Sequence, residues 1–193
     1  MSKRALVLPP NFIWVVYAMV LMIVVHLLGS VFGLPVARFG MIPLSVNHLG
    51  GVFTAPFIHG SWGHLASNLV GLSISGYLAA RLPNFKRATL FIVVTTGLLV
   101  WLFAGSGNHI GASGVVMGYF GLLLGAAVFN RNVLGIVSFI ALLILTYYAN
   151  ISFLATLFDF SAQTSSSSHV FGFISGLSVA YLVKTKRTKG EVE

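Results

Sequence analysis

Ser113, His169, His64 and Asn68 are the residues of this chain whose types and spacing can carry out a reaction. A serine hydroxyl is a weak nucleophile and needs an adjacent base within about 3 Å. Histidine titrates near neutrality, and His169 is the candidate. Ser113 opens an apolar run behind Gly111-Ala112, so it stands at a helix start. There the backbone N–H groups have no internal partner and can stabilise a developing oxyanion. His64 and Asn68, four residues apart, share a helix face and can add side-chain donors at the same spot. The only acids are Asp159, Glu191 and Glu193, so a carboxylate third member could come only from Asp159. A dyad of Ser113 and His169 is the expected arrangement. Each residue also has a plainer reading: Ser113 as a small packing residue, His64 and Asn68 as interhelical hydrogen bonders, His169 as an interfacial histidine.

The elements that must position these residues follow from composition. Of 193 residues 57% are hydrophobic and only 7% charged, with a mean hydropathy of +0.96. Soluble proteins carry about 25% charged residues, so a soluble domain is excluded. The expected fold is all-α and polytopic, a single domain over residues 1–193. Apolar runs predict six spans at about 12–28, 62–80, 88–104, 113–129, 133–149 and 169–183, at roughly 20 residues per crossing. Val31 to His59 contains Pro35, Pro43 and Pro56 and cannot be one helix. It is too apolar for a free loop and is expected to lie partly in the interface. The run Ser165 to Ser168 is low-complexity and is given no structure. With no cysteine, disulfides and thiolate chemistry are excluded.

The net charge of +8 would point to nucleic acid in a soluble protein, but basic residues scattered through a hydrophobic chain mark cytoplasmic loops. No nucleic-acid partner is expected. Ten of the eleven, Lys3, Arg4, Arg81, Lys86, Arg87, Arg131, Lys184, Lys186, Arg187 and Lys189, fall on one side, and Arg38 on the other. Both termini are therefore expected in the cytoplasm. At about 1.5 Å per residue, Ser113 lies about 27 Å from Arg131, His64 about 26 Å from Arg81, and His169 about 22 Å from Lys184. In a hydrocarbon core of about 30 Å, all three meet in the outer leaflet, and this coincidence weighs against the plainer readings. Polar residues at that depth are functional candidates when they face the bundle interior. Gly114, Gly118, Gly121 and Gly125 form a stripe, as do His169, Gly172 and Gly176. Such stripes let two backbones approach closely. On an ideal helix Ser113 stands about 100° from its stripe.

At His59-Gly60-Ser61-Trp62-Gly63-His64 running into Asn68, at Gly111-Ala112-Ser113-Gly114, and at His169-x-x-Gly172-x-x-x-Gly176, the chain resembles the rhomboid family of intramembrane serine proteases. The likeness runs from about Thr54 to about Gly176. It implies a six-helix bundle with a long first external loop, Ser113 as nucleophile, His169 as general base, and His64 with Asn68 stabilising the oxyanion. It further implies transmembrane substrates that enter laterally from the lipid bilayer and are cut near their outer ends, with no cofactor and no metal. The expected location is a bacterial inner membrane. This chain departs from the family pattern in three places. Gly51-Val52 stands where a Trp-Arg pair is common, Met117 where many relatives have an aromatic ring, and Ser168 where alanine is usual. An aspartyl intramembrane protease needs two aspartates, a zinc one shows His-Glu-x-x-His, and a proton-coupled transporter carries acids in its spans; the chain has none of these. The remaining alternative is an inactive rhomboid-like adaptor that binds transmembrane helices.

The charge asymmetry generates a topological prediction. Reporters fused after Lys86 and after Arg131 should be cytoplasmic, and one after Asp159 external. An external Arg131 fusion would overturn the depth estimate.

Overall fold

A computed structural model describes residues 8–131, 133–148 and 166–183. Among these residues the chain is helical: α1 Phe12–Ser30, a short α2 Gly51–Thr54, α3 Trp62–Ala79, α4 Phe85–Phe103, α5 Ser113–Val128, α6 Val133–Tyr148 and α7 Ser166–Leu182. The one extended pairing among the described residues is an isolated bridge between Met41 and His109. Several helix starts have a visible local cause. The Ser61 hydroxyl accepts from the His64 N–H at 3.1 Å and caps α3, satisfying one of its orphan donors. Asn84, in the left-handed region at φ 60°, starts α4 three residues earlier than expected. The serine run, expected to have no structure, is helical from Ser166. Packing overrides composition there: a Cβ on Gly114 would lie 3.2 Å from the Ser168 carbonyl and 3.6 Å from its Cβ, so this first turn of α7 is seated on α5.

α5 is the central helix, with buried residues all round it, as expected of a helix hydrophobic on every side. Its glycine stripe meets α7 backbone to backbone. A Cβ on Gly172 would stand 2.0 Å from the Gly114 carbonyl oxygen, one on Gly176 1.9 Å from that of Gly118, and one on Gly121 2.2 Å from that of Phe173. No side chain fits these positions. α1 rests on α3 differently, the Val15 side chain filling the space at Gly76. Elsewhere large apolar side chains are turned outward, among them Val20, Val137, Ile140 and Ile144. α1 and α4 are long and apolar enough to cross a membrane by length and composition, and α5 and α6 are shorter apolar helices.

The segment between α1 and α3 is irregular but well anchored. Met41 and His109 exchange backbone hydrogen bonds of 3.0 and 2.8 Å, the Trp101 indole donates to the Ser45 carbonyl at 3.0 Å, and the Asn108 amide donates to that of Ala37 at 2.7 Å. Its backbone is thereby pinned to α4 and to the loop before α5. Gly51 explains one departure from the expected pattern. Its Cβ would lie 2.8 Å from the Gly40 carbonyl oxygen and the Met41 Cα, and Val52 next to it presses on Gly97 of α4. A tryptophan cannot stand at this position.

Gly172→Ala and Gly176→Ala should each lower stability by about 1–3 kcal/mol through overpacking, despite the better helix propensity of alanine. Gly50→Ala, with no atom within 4 Å of its Cβ, should stay within about 0.5 kcal/mol of the parent. Thermal unfolding in detergent measures all three. An unchanged midpoint for Gly176→Ala would mean that the two backbones do not touch.

Candidate functional site

Ser113 is the first residue of α5. His169 lies within the first turns of α7 and is buried, 3% exposed. The glycine contacts set their relation: Gly114, next to Ser113, abuts Ser168, next to His169. Both residues therefore stand at the same end of the α5/α7 interface. Ala112, the residue before α5, accepts from the N–H groups of Val115 and Val116 at 2.9 and 3.0 Å. The N–H groups of Ser113 and Gly114 precede the first full turn and have no intrahelical carbonyl.

His64 reaches this end from α3. Gly111 has φ +107°, and a Cβ there would stand 2.5 Å from His64 Nε2. Glycine at 111 thus serves twice, by adopting a left-handed backbone and by leaving room for the ring. The Gly111 N–H is held at 2.9 Å by the Ala55 carbonyl. His64 is close enough to His169 and His26 to interact electrostatically with both. Asn68, one turn on, is buried. Its amide donates to the His64 carbonyl at 2.8 Å, and its Oδ1 is buried without a hydrogen-bond partner. In this state Asn68 braces the turn that carries His64. Asp159 lies outside the described residues, among which there is no carboxylate.

Two further histidines join the group. The His59 ring packs edge-on against His64 with centroids 5.0 Å apart, and His26 Nδ1 donates to the His59 carbonyl at 3.1 Å while its ring meets Trp62 edge-on at 4.4 Å. Both ring nitrogens of His59 and Nε2 of His26 are buried without a partner. The three rings do not form a metal-ligating group among the described residues. The contact with Trp62 makes His26 a packing residue as well. His59 opens the motif that runs into His64, but its ring contact with His64 follows from no helix-face rule, since it stands five residues earlier and ahead of the helix. A small cavity of about 40 Å³ touches Gly111, Gly114, Thr96 and Ser168, enough for a water. The Thr96 hydroxyl on its wall is buried without a partner. The arrangement can offer a hydroxyl nucleophile, an imidazole base, oriented N–H groups and a place for water.

Residues 46–186 match the family model of the Rhomboid domain. Among curated proteins, the chain is similar to uncharacterised proteins of Mycobacterium bovis and Mycobacterium tuberculosis, each 33% identical over 178 residues, which is 88% of this chain and 73% of theirs. An uncharacterised protein of Mycobacterium leprae is 28% identical over 158 residues, 78% of this chain and 62% of its own.

Burial, together with the neighbouring His64, lowers the His59 pKa from 6.5 to about 4. Between those values the unfolded chain binds the proton and the folded chain does not, so stability falls as pH drops through the window. It is greatest above about 6.5 and levels off below about 4. His59→Phe should therefore flatten the loss of unfolding midpoint between about pH 7 and pH 5. An identical slope in the variant would show that His59 titrates normally.

Proposed function

The chain belongs to the rhomboid family, and from that premise we propose that it is an intramembrane serine protease of the rhomboid type. The outward-facing apolar side chains are then lipid-facing. The six long helices cross the bilayer, both termini are cytoplasmic, residues 31–61 form the long external loop, and residues 1–193 make one membrane domain. The observation that carries the reading is the contact of Gly114 with Ser168 and Gly172, since it brings the Ser113 and His169 positions to one end of one interface.

In the proposed reaction His169 takes the proton of the Ser113 hydroxyl as the oxygen attacks the scissile carbonyl of a transmembrane substrate. The tetrahedral oxyanion is met by the N–H groups at the start of α5 and by the His64 imidazole. Electrostatic preorganisation of this sort is the largest single contribution in many acyl transfers. His169 gives the proton to the leaving amine as the C–N bond breaks, an ester-linked acyl-Ser113 remains, and water admitted beside Gly111 and Thr96 hydrolyses it with His169 again as base. Asn68 contributes chiefly by holding the turn of His64. No carboxylate is needed, which makes Ser113 and His169 a dyad. Substrates enter sideways from the bilayer and are cut near their outer ends, and a bacterial inner membrane supplies them.

Fluorophosphonate labelling and the initial rate of cleavage of a transmembrane substrate in liposomes test this. Ser113→Ala should abolish both, and His169→Ala should abolish cleavage. His64→Ala should lower turnover by about 10²–10³ where its donor dominates. Asp159→Asn should stay within roughly tenfold, or about 1.4 kcal/mol in barrier, against the 10⁴-fold loss known for a true triad acid. No labelling of the folded parent would favour the helix-binding adaptor instead.

A further inference from the structure

A cavity of about 500 Å³ lies between α1 and α4, bordered also by Phe53, Pro56 and Phe57 of the connecting segment. That volume is typical of ligand sites, roughly 300–1,000 Å³. Its lining is almost wholly apolar, and it extends from Lys86 at one end to Ala112 and Val115, beside the start of α5, at the other. A second cavity of about 320 Å³, lined by Asn11, Asn84, Phe85, Lys86 and Arg87, shares Phe85 and Lys86 with the first. The Lys86 ammonium sits 4.4 Å from the centroid of the Trp14 ring, a cation–π contact that parks it at the junction. Arg87 and Asn84 are exposed beside it. The three acids of the chain all lie outside the described residues, so no described carboxylate neutralises Lys86 or Arg87.

A long apolar slot that ends in a polar chamber with two cations and two amides matches one kind of molecule. It has an apolar tail and an anionic head. The polar chamber is much larger than a lone carboxylate requires, and the cations stand at the end of the helices where headgroups lie. We propose that this cleft binds one anionic phospholipid, an acyl chain in the slot and its phosphate between Lys86 and Arg87. Attraction of anionic lipid to basic residues near the cytoplasmic surface is the general behaviour; the slot adds a defined place for the tail. Its inner end touches Ala112, the residue before the proposed nucleophile. The proposal relies on the helices spanning a bilayer and is independent of proteolysis, because binding is read without activity.

The test is native mass spectrometry of the full chain in neutral detergent, titrated with phosphatidylglycerol or phosphatidylcholine of the same acyl composition. One phosphatidylglycerol should be retained, at least about tenfold more tightly than phosphatidylcholine. Replacing both cations, Lys86→Gln with Arg87→Gln, should weaken it about thirtyfold, whereas Arg131→Gln should leave it unchanged. Ala18→Trp, or Leu90→Trp if the first does not fold, should fill the slot and expel both lipids. Glycerol phosphate should not compete. Equal retention of the two lipids, the same loss in Arg131→Gln, undiminished binding with the slot filled, or competition by glycerol phosphate would each overturn the proposal.

Discussion

The direct backbone contact between α5 and α7 is the constraint on which the rest of the molecule depends. Glycine at 114, 118, 121, 172 and 176 removes the side chains that normally hold helices 8–10 Å apart, and carbonyl oxygens of one helix lie where the other would carry Cβ atoms. In lipid, where apolar burial contributes little between helices, close van der Waals packing of this kind is the main source of association. A serine and a histidine have short side chains. The proposed dyad would need an interface of this closeness.

Charge scarcity shapes the remainder. In a low-dielectric surrounding, an unpartnered polar group is costly, and several hydroxyls here are satisfied by their own helix. Ser73, Ser75, Thr146 and Ser175 each donate to the carbonyl four residues back, at 2.7 to 2.9 Å. The buried polar atoms that stay unpartnered are concentrated elsewhere: on His26, His59, Asn68 and Thr96, with Asn130 the exception. Thr96 lines the small cavity beside Gly114, Asn68 bonds to the His64 carbonyl, and His59 and His26 follow from His64 in a chain of ring and carbonyl contacts. Among the described residues, then, most of the unmet hydrogen-bonding capacity of the interior lies on residues of or near the proposed site.

The helices, their approximate ends and the two glycine stripes were legible because period and composition act locally. The start of α5 at Ser113 was legible for the same reason. What local rules could not reach was set by contacts across the fold. Ser166–Ser168 is helical through its seat on Gly114, Gly51 is glycine because the Gly40 and Met41 backbone crosses it, and Gly111 is glycine because the His64 ring from another helix occupies its flank. His59 joins the histidine group through a loop whose path no periodicity describes.

The pairing of α5 with α7 also carries a consequence for biogenesis. Chains emerge from the ribosome N-terminal end first, so the glycine face of α5 must wait, uncovered, while α6 and the following residues are made. During that interval the proposed nucleophile exists without its base. For the proposed protease, the order of synthesis itself would act as a safety catch: a nascent chain moving through the insertion machinery among other unfolded membrane proteins would be unable to cut them until α7 docks.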